Sequence, residues 1–244
     1  MLADLAQSAR ARVFGRRSAA FTLVELLAVI TIIGLLIGMM LPSLVHVRSR
    51  TLRTMCAGNL RQIYVGVTMY TDDYRGAYFC AEDPVKPGIW LWMGRGWRGM
   101  IAPYLGRGIS QDDPSVLYCK GDPATPVRYE STSYAYSMAF YHNPAQIDAM
   151  TSPADTYSRP KPSVRVATSE VRRPARKLLI GEWTANHPTV GGDLGWWGWE
   201  GTRNFLTAGG QVLCLEARDI RPANDQFPDP NLTAGGYTGD DLAK

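Results

Sequence analysis

From Phe21 to Leu41 the chain is apolar at every position except Thr22, Glu25, Thr31, Gly34 and Gly38. A helix of about 20 residues crosses a hydrocarbon core, so this run predicts a membrane span. Beyond Pro42 the pattern changes. Leu52, Cys56, Leu60, Ile63, Val67 and Tyr70 recur at intervals of four and three residues, and Arg48, Arg50, Arg53 and Arg61 lie largely off that stripe. This is the signature of an amphipathic helix that buries one face. Continuous helix from Phe21 to Tyr70 would be about 75 Å long at 1.5 Å per residue. Its outer half must bury the stripe, and the rest of the chain is the obvious cover. Pro42 leaves the Gly38 carbonyl without its helical donor, and Gly34 and Gly38 weaken the same stretch, so this segment can kink or unwind at little cost.

Residues 77–217 show no repeat and no linker, and a domain of this size can bury a core. Trp97–Leu105 predicts a short helix stopped by Gly106. Asn143-Pro144 predicts a cap and first position for another, running through Met150. Residues 134–141 and 177–183 predict strands, and residues 203–206 and 211–216 predict a hairpin around Ala208-Gly209-Gly210. A long helix followed by mostly antiparallel sheet is an α+β arrangement. From about Arg218 the chain is rich in Pro, Asp, Asn and Gly, which predicts a loop-like or mobile tail. The expected boundaries are 1–20, 21–42, 43–76, 77–217 and 218–244.

The flanks of the apolar run refine its meaning. A secretory signal places small residues after its apolar region, whereas Ser18-Ala19-Ala20 stand before this one. Residues 1–20 carry four arginines against one aspartate, which supplies most of the net charge of +4. The basic character is therefore a property of the leader, not a nucleic-acid footprint. Glu25 is costly, because an ionisable group inside a membrane helix costs at least about 2.5 kcal/mol and normally has a partner. No Lys or Arg lies between Arg17 and Arg48. A cut between Ala20 and Phe21 would create a cationic amine one helical turn from Glu25. Between chains, the same pairing would set an axial register. A plain signal anchor that is never cut is the competing account.

The stretch R-R-S-A-A-F-T-L-V-E-L-L-A-V-I-T-I-I-G, residues 16–34, resembles the prepilin signal of type IV pilins and type II secretion pseudopilins. The resemblance implies that a prepilin peptidase cuts after Ala20 and methylates the amine of Phe21, and that Glu25 directs assembly. The family usually has Gly where this chain has Ala20. The resemblance also implies a pilin-like fold, with the long helix packed on a small, mostly antiparallel sheet domain. It implies residence in the bacterial inner membrane as a single-pass protein, with the globular domain outside the cytoplasm and extractable into a filament. Pilin helices often loosen near Gly34, Gly38 and Pro42 when packed. Asn59-Leu60-Arg61-Gln62 and Tyr70-Thr71-Asp72-Asp73-Tyr74-Arg75-Gly76 look like a pseudopilin subgroup of planctomycete-type bacteria. The hairpin at Asn204–Val212 resembles that subgroup's carboxy-terminal hairpin, with Gly209 and Gln211 replacing its usual Asp and His.

Catalysis finds little support. H-E-x-x-H, G-x-S-x-G and Walker patterns are absent, and His46, His142 and His187 are widely separated. Cys56, Cys80, Cys119 and Cys214 allow three full pairings. Their spacing does not resemble a zinc site, no metal ligand set is assigned, and Cys80–Cys119 is the expected bridge if one forms. Trp196, Trp197 and Trp199 form the densest aromatic group. In a strand they would alternate faces, so at least one would be exposed as a sugar-stacking or protein-contact surface, against ordinary packing. Asp225, Asp229, Asp240 and Asp241 could offer oxygens to calcium, as pseudopilin loops do, although no EF-hand spacing is present; no other cofactor is expected. The sequence thus reads as a non-enzymatic subunit of a pilus or secretion pseudopilus. Its partners would be prepilin peptidase, like subunits and the inner membrane. The alternative is a tip or minor pilin, or an adhesin that holds polysaccharide on its Trp-rich face.

Overall fold

The computed structural model describes residues 21–80, 91, 96–106, 116–122, 132–158, 161–188 and 190–244. The chain divides into two units at Val45 and His46. Helix α1, Leu23–Asp73, is helical throughout, and the division falls within it. In the first unit the apolar side chains of Leu23–Leu41 are exposed, and that stretch is long and apolar enough to cross a membrane.

In the second unit α1 buries the predicted stripe. Cys56, Leu60, Ile63, Val67 and Tyr70 lie in the core, and Leu52 is half-buried at its edge. What they cover is a four-stranded antiparallel sheet. Its strands are β1 (Tyr134–Tyr136), β2 (Leu178–Glu182), β3 (Thr202–Thr207) and β4 (Val212–Glu216), in the order β1-β2-β3-β4. Period-two alternation separates the two faces. Tyr134, Tyr136, Ile180 and Leu206 join the large core under α1, while Ala135 and Phe205 join a smaller cluster with Trp196 and Ile220. Polar bonds fix α1 to the sheet: Tyr134 Oη donates to the Cys56 carbonyl at 3.2 Å, and Asn204 Nδ2 to the Arg53 carbonyl at 3.2 Å. The α+β, pilin-like arrangement expected from the sequence is the one observed.

Local chemistry explains the smaller elements. Helix α2 spans Trp97–Ile101 and continues as a 3-10 turn through Tyr104, so the predicted helix changes type at Ala102. Helix α3, Pro144–Asp148, starts on a reciprocal cap: Gln146 N–H donates to Asn143 Oδ1 at 2.8 Å, and Asn143 N–H to Gln146 Oε1 at 2.9 Å. Strand β1 ends at Tyr136, earlier than predicted, because Ser137 caps a 3-10 turn over Met138–Phe140. The β3–β4 turn needs glycine at position 210. Its φ is +86°, and a Cβ there would lie 2.5 Å from the Tyr64 ring.

Residues 218–244 are irregular in backbone and anchored by buried apolar residues and ion pairs. Ile220, Ala223 and Leu232 are buried apolar residues. Buried Lys177 pairs with buried Asp241 at 3.0 Å, and Arg176 clamps Asp240 at 2.9 Å. Burial depresses the Lys177 pKa, and the Asp241 charge opposes that shift.

Candidate functional site

The amino-terminal site begins with an exposed Phe21 side chain. Thr22 and Glu25 then form a reciprocal cap. The Thr22 N–H and hydroxyl each donate to Glu25 Oε2 at 2.9 Å, and the Glu25 N–H donates to Thr22 Oγ1 at 3.2 Å. Such a box satisfies orphan donors at a helix start and favours a carboxylate there. The Glu25 carboxylate thus sits at the mouth of an apolar helix, held by hydrogen-bond donors of its own first turn. Ala20 and the rest of the leader lie outside the described residues. Gly34 and Gly38 both face open space, with nothing within 4 Å of where a Cβ would be. The backbone is helical through Pro42.

The cysteines pair differently from the expectation. Cys119 is bonded to Cys56, with Cα atoms 5.3 Å apart, and not to Cys80, and Cys214 is a free thiol. The physical reason is the stripe: burying the face of α1 that carries Cys56 brings it onto the Cys119 turn. The bridge spans a sequence separation of 63 residues.

The tryptophans also diverge from a strand-like alternation. Gly195–Trp197 is a 3-10 turn. Trp196 is buried and donates to the Glu182 carbonyl at 2.8 Å, and half-buried Trp197 donates to Asp229 Oδ2 at 3.1 Å. Trp199, 39% exposed, is the outermost of the three. Gly195 has φ +69°, and Trp183 packs where its Cβ would be. Asp193 holds this loop by accepting from the Ala185 and Gly195 amides and pairing with buried Arg203 at 2.5 Å.

Of the four tail aspartates considered for calcium, Asp240 and Asp241 are engaged by Arg176 and Lys177. Asp225 and Asp229 lie together. Burial, followed by the neighbouring Asp225 charge, raises the Asp229 pKa, and burial also raises that of Asp225.

One constellation was not visible in the sequence. Buried Cys56, Cys119, Glu182 and His187 bring their donor atoms within 4.8 Å of one another. They come from α1, a turn, the end of β2 and the following loop. The only signal available was the position of Cys56 on the buried stripe, because nothing in the spacing ties Glu182 and His187 to it.

Residues 15–41 match the model of the prokaryotic N-terminal methylation motif. With the exposed apolar helix that lies within it, this fits a type IV pilin-like prepilin signal. The motif supports a precursor of the type IV pilin or pseudopilin kind. It implies, in general terms, processing by prepilin peptidase, pilin-like assembly and a single membrane anchor. Neither a curated protein nor a solved structure matches the chain.

Proposed function

We propose that this protein is a structural subunit of a type IV pilus or type II secretion pseudopilus, without catalytic activity. Prepilin peptidase cuts between Ala20 and Phe21 and methylates the new amine. The helix from Phe21 to Pro42 holds the subunit in the bacterial inner membrane, with residues 43–244 outside the cytoplasm. It then passes into a filament, where Glu25 neutralises the Phe21 amine of a neighbour and Gly34, Gly38 and Pro42 let the helix loosen. The observation that carries this reading is the methylation motif over residues 15–41, placed on an apolar run, Phe21 to Leu41, whose one acid is Glu25. A buried or lipid-facing carboxylate needs a cation, and the amine released by the cut supplies one. The hairpin and the Tyr70–Gly76 segment support a place in the planctomycete-type pseudopilin subgroup.

Glu25→Ala tests the assembly role. Cleavage should proceed as in the wild type, while recovery of the protein in sheared filaments falls by at least about tenfold, the factor expected for loss of about 1.4 kcal/mol per contact. Incorporation at the wild-type level would contradict it.

The polysaccharide-binding alternative loses ground to the burial of Trp196 and the packing of Trp197. What is left exposed is Trp199 with Leu194 and Tyr157, a surface better suited to contact with a protein neighbour.

A further inference from the structure

The four-residue cluster inside the second unit has a chemistry that the filament role does not use. Cys119 Sγ lies 3.0 Å from His187 Nε2, and the same Nε2 lies 3.3 Å from Glu182 Oε1. Sulfur and carboxylate therefore face one ring nitrogen. A nucleophile–base–orienting acid relay would need them on opposite nitrogens, so the arrangement is convergent rather than linear. Convergence of donors on one point is the geometry of a cation site.

The supporting groups fit that use. Glu182 is oriented by Asn204, whose backbone N–H donates to Oε2 at 2.9 Å and whose Nδ2 donates to Oε1 at 3.0 Å. Such outer contacts fix a ligating carboxylate. His187 is held through its backbone carbonyl, which accepts from the Arg53 guanidinium. His187 Nδ1 is buried without a hydrogen-bond partner among the described residues. With Nδ1 unengaged, the ring proton can sit there when a cation takes the place of the proton that Nε2 holds toward Glu182 and Cys119. The Arg53 charge beside the cluster also offsets the net negative charge that two thiolates and a carboxylate leave around a divalent ion.

The geometry points to a redox-gated site for one zinc-class divalent ion, ligated by Cys56, Cys119, Glu182 and His187. In the oxidised protein the two sulfurs are bonded to each other and the site is closed. Reduction breaks the S–S bond as it accepts two electrons and two protons. With a phosphine reductant, the phosphine is oxidised to its oxide, taking oxygen from water. The ion then binds both sulfurs as thiolates and releases their two protons. The sulfurs separate to about 3.8 Å, the spacing two ligands adopt at zinc–sulfur bonds of about 2.3 Å in a tetrahedral site. Two thiolates, an imidazole and a carboxylate select zinc and cobalt over the hard ions magnesium and calcium.

The full chain in detergent, titrated with cobalt(II), provides the test. Phosphine-reduced protein should bind one equivalent and show intense tetrahedral ligand-field bands with thiolate-to-cobalt charge transfer, and zinc should bleach both. Oxidised protein should show neither. His187→Gln and Glu182→Gln should each weaken cobalt binding by more than about 100-fold, beyond the 10–100-fold of an outer-shell change, and Asn204→Ala by about tenfold. Zinc should also raise the unfolding temperature of reduced wild-type protein and leave that of the oxidised form unchanged, a readout independent of how the variants fold. Absence of the bands in reduced wild type, equal bands in the oxidised form, or no zinc-dependent rise in the reduced form's unfolding temperature would overturn the site.

Discussion

Leu35 and Leu60 occupy the same helix, α1, and differ in everything around them. Leu35 is 60% exposed amid an apolar run without period; Leu60 is fully buried on a stripe of period near 3.6. A helix that is apolar on all sides has no protein face to choose and needs an apolar solvent, whereas a striped helix needs a partner surface. The first stretch is built for lipid or for packing among equivalent helices. The second is built for the sheet of its own chain. One helix thus serves two environments, and the change of pattern near Pro42 falls close to the division at Val45.

The comparison can be broken first at the disulfide, which only the buried half possesses. Closing a loop of 63 residues stabilises the fold by about 4 kcal/mol in the chain-entropy account. Cys56→Ser in the oxidised protein should lose about that much in a denaturant titration. A loss below about 1 kcal/mol would mean that the bridge constrains little of the unfolded chain.

Next come the two leucines themselves. All seven tryptophans lie outside the apolar run, so their fluorescence reports unfolding of the second unit alone. Leu60→Ala should cost about 3 kcal/mol by that readout, since it leaves a cavity in the core. Leu35→Ala should stay within about 0.5 kcal/mol. Equal effects would erase the distinction between the halves.

Much of this division was legible because periodicity is a local signal. The stripe from Cys56 to Tyr70, the Asn143 cap and the β3–β4 hairpin each rest on residues near one another in sequence. The Cys56–Cys119 bond and the Glu182–His187 contact were not legible, because they depend on which loop lands on α1. The stripe did mark Cys56 as inward-facing, and following that clue would have favoured it over Cys80. The anchoring of the tail was not legible for a different reason. Its Pro, Asp and Gly content describes backbone irregularity, and irregular chain can still be anchored by ion pairs such as Lys177–Asp241.

The dependence of stability on pH sharpens that last point. Asp225 and Asp229 hold protons in the folded state above the ordinary carboxylate range. As pH rises from that range, the folded state therefore binds more protons than the unfolded chain, and stability falls. The slope reaches up to about 1.4 kcal/mol per pH unit for one retained proton. Asp229→Asn should flatten that decline, seen as unfolding midpoints compared across the pH series. An unchanged slope would show that the pair titrates normally.

The mass of the mature amino terminus, measured on protein purified from membranes of cells that contain prepilin peptidase, tests the central claim most directly. The account predicts a chain that starts at Phe21 and carries one added methyl group on its amine. A chain that retains Met1 and the leader would contradict it.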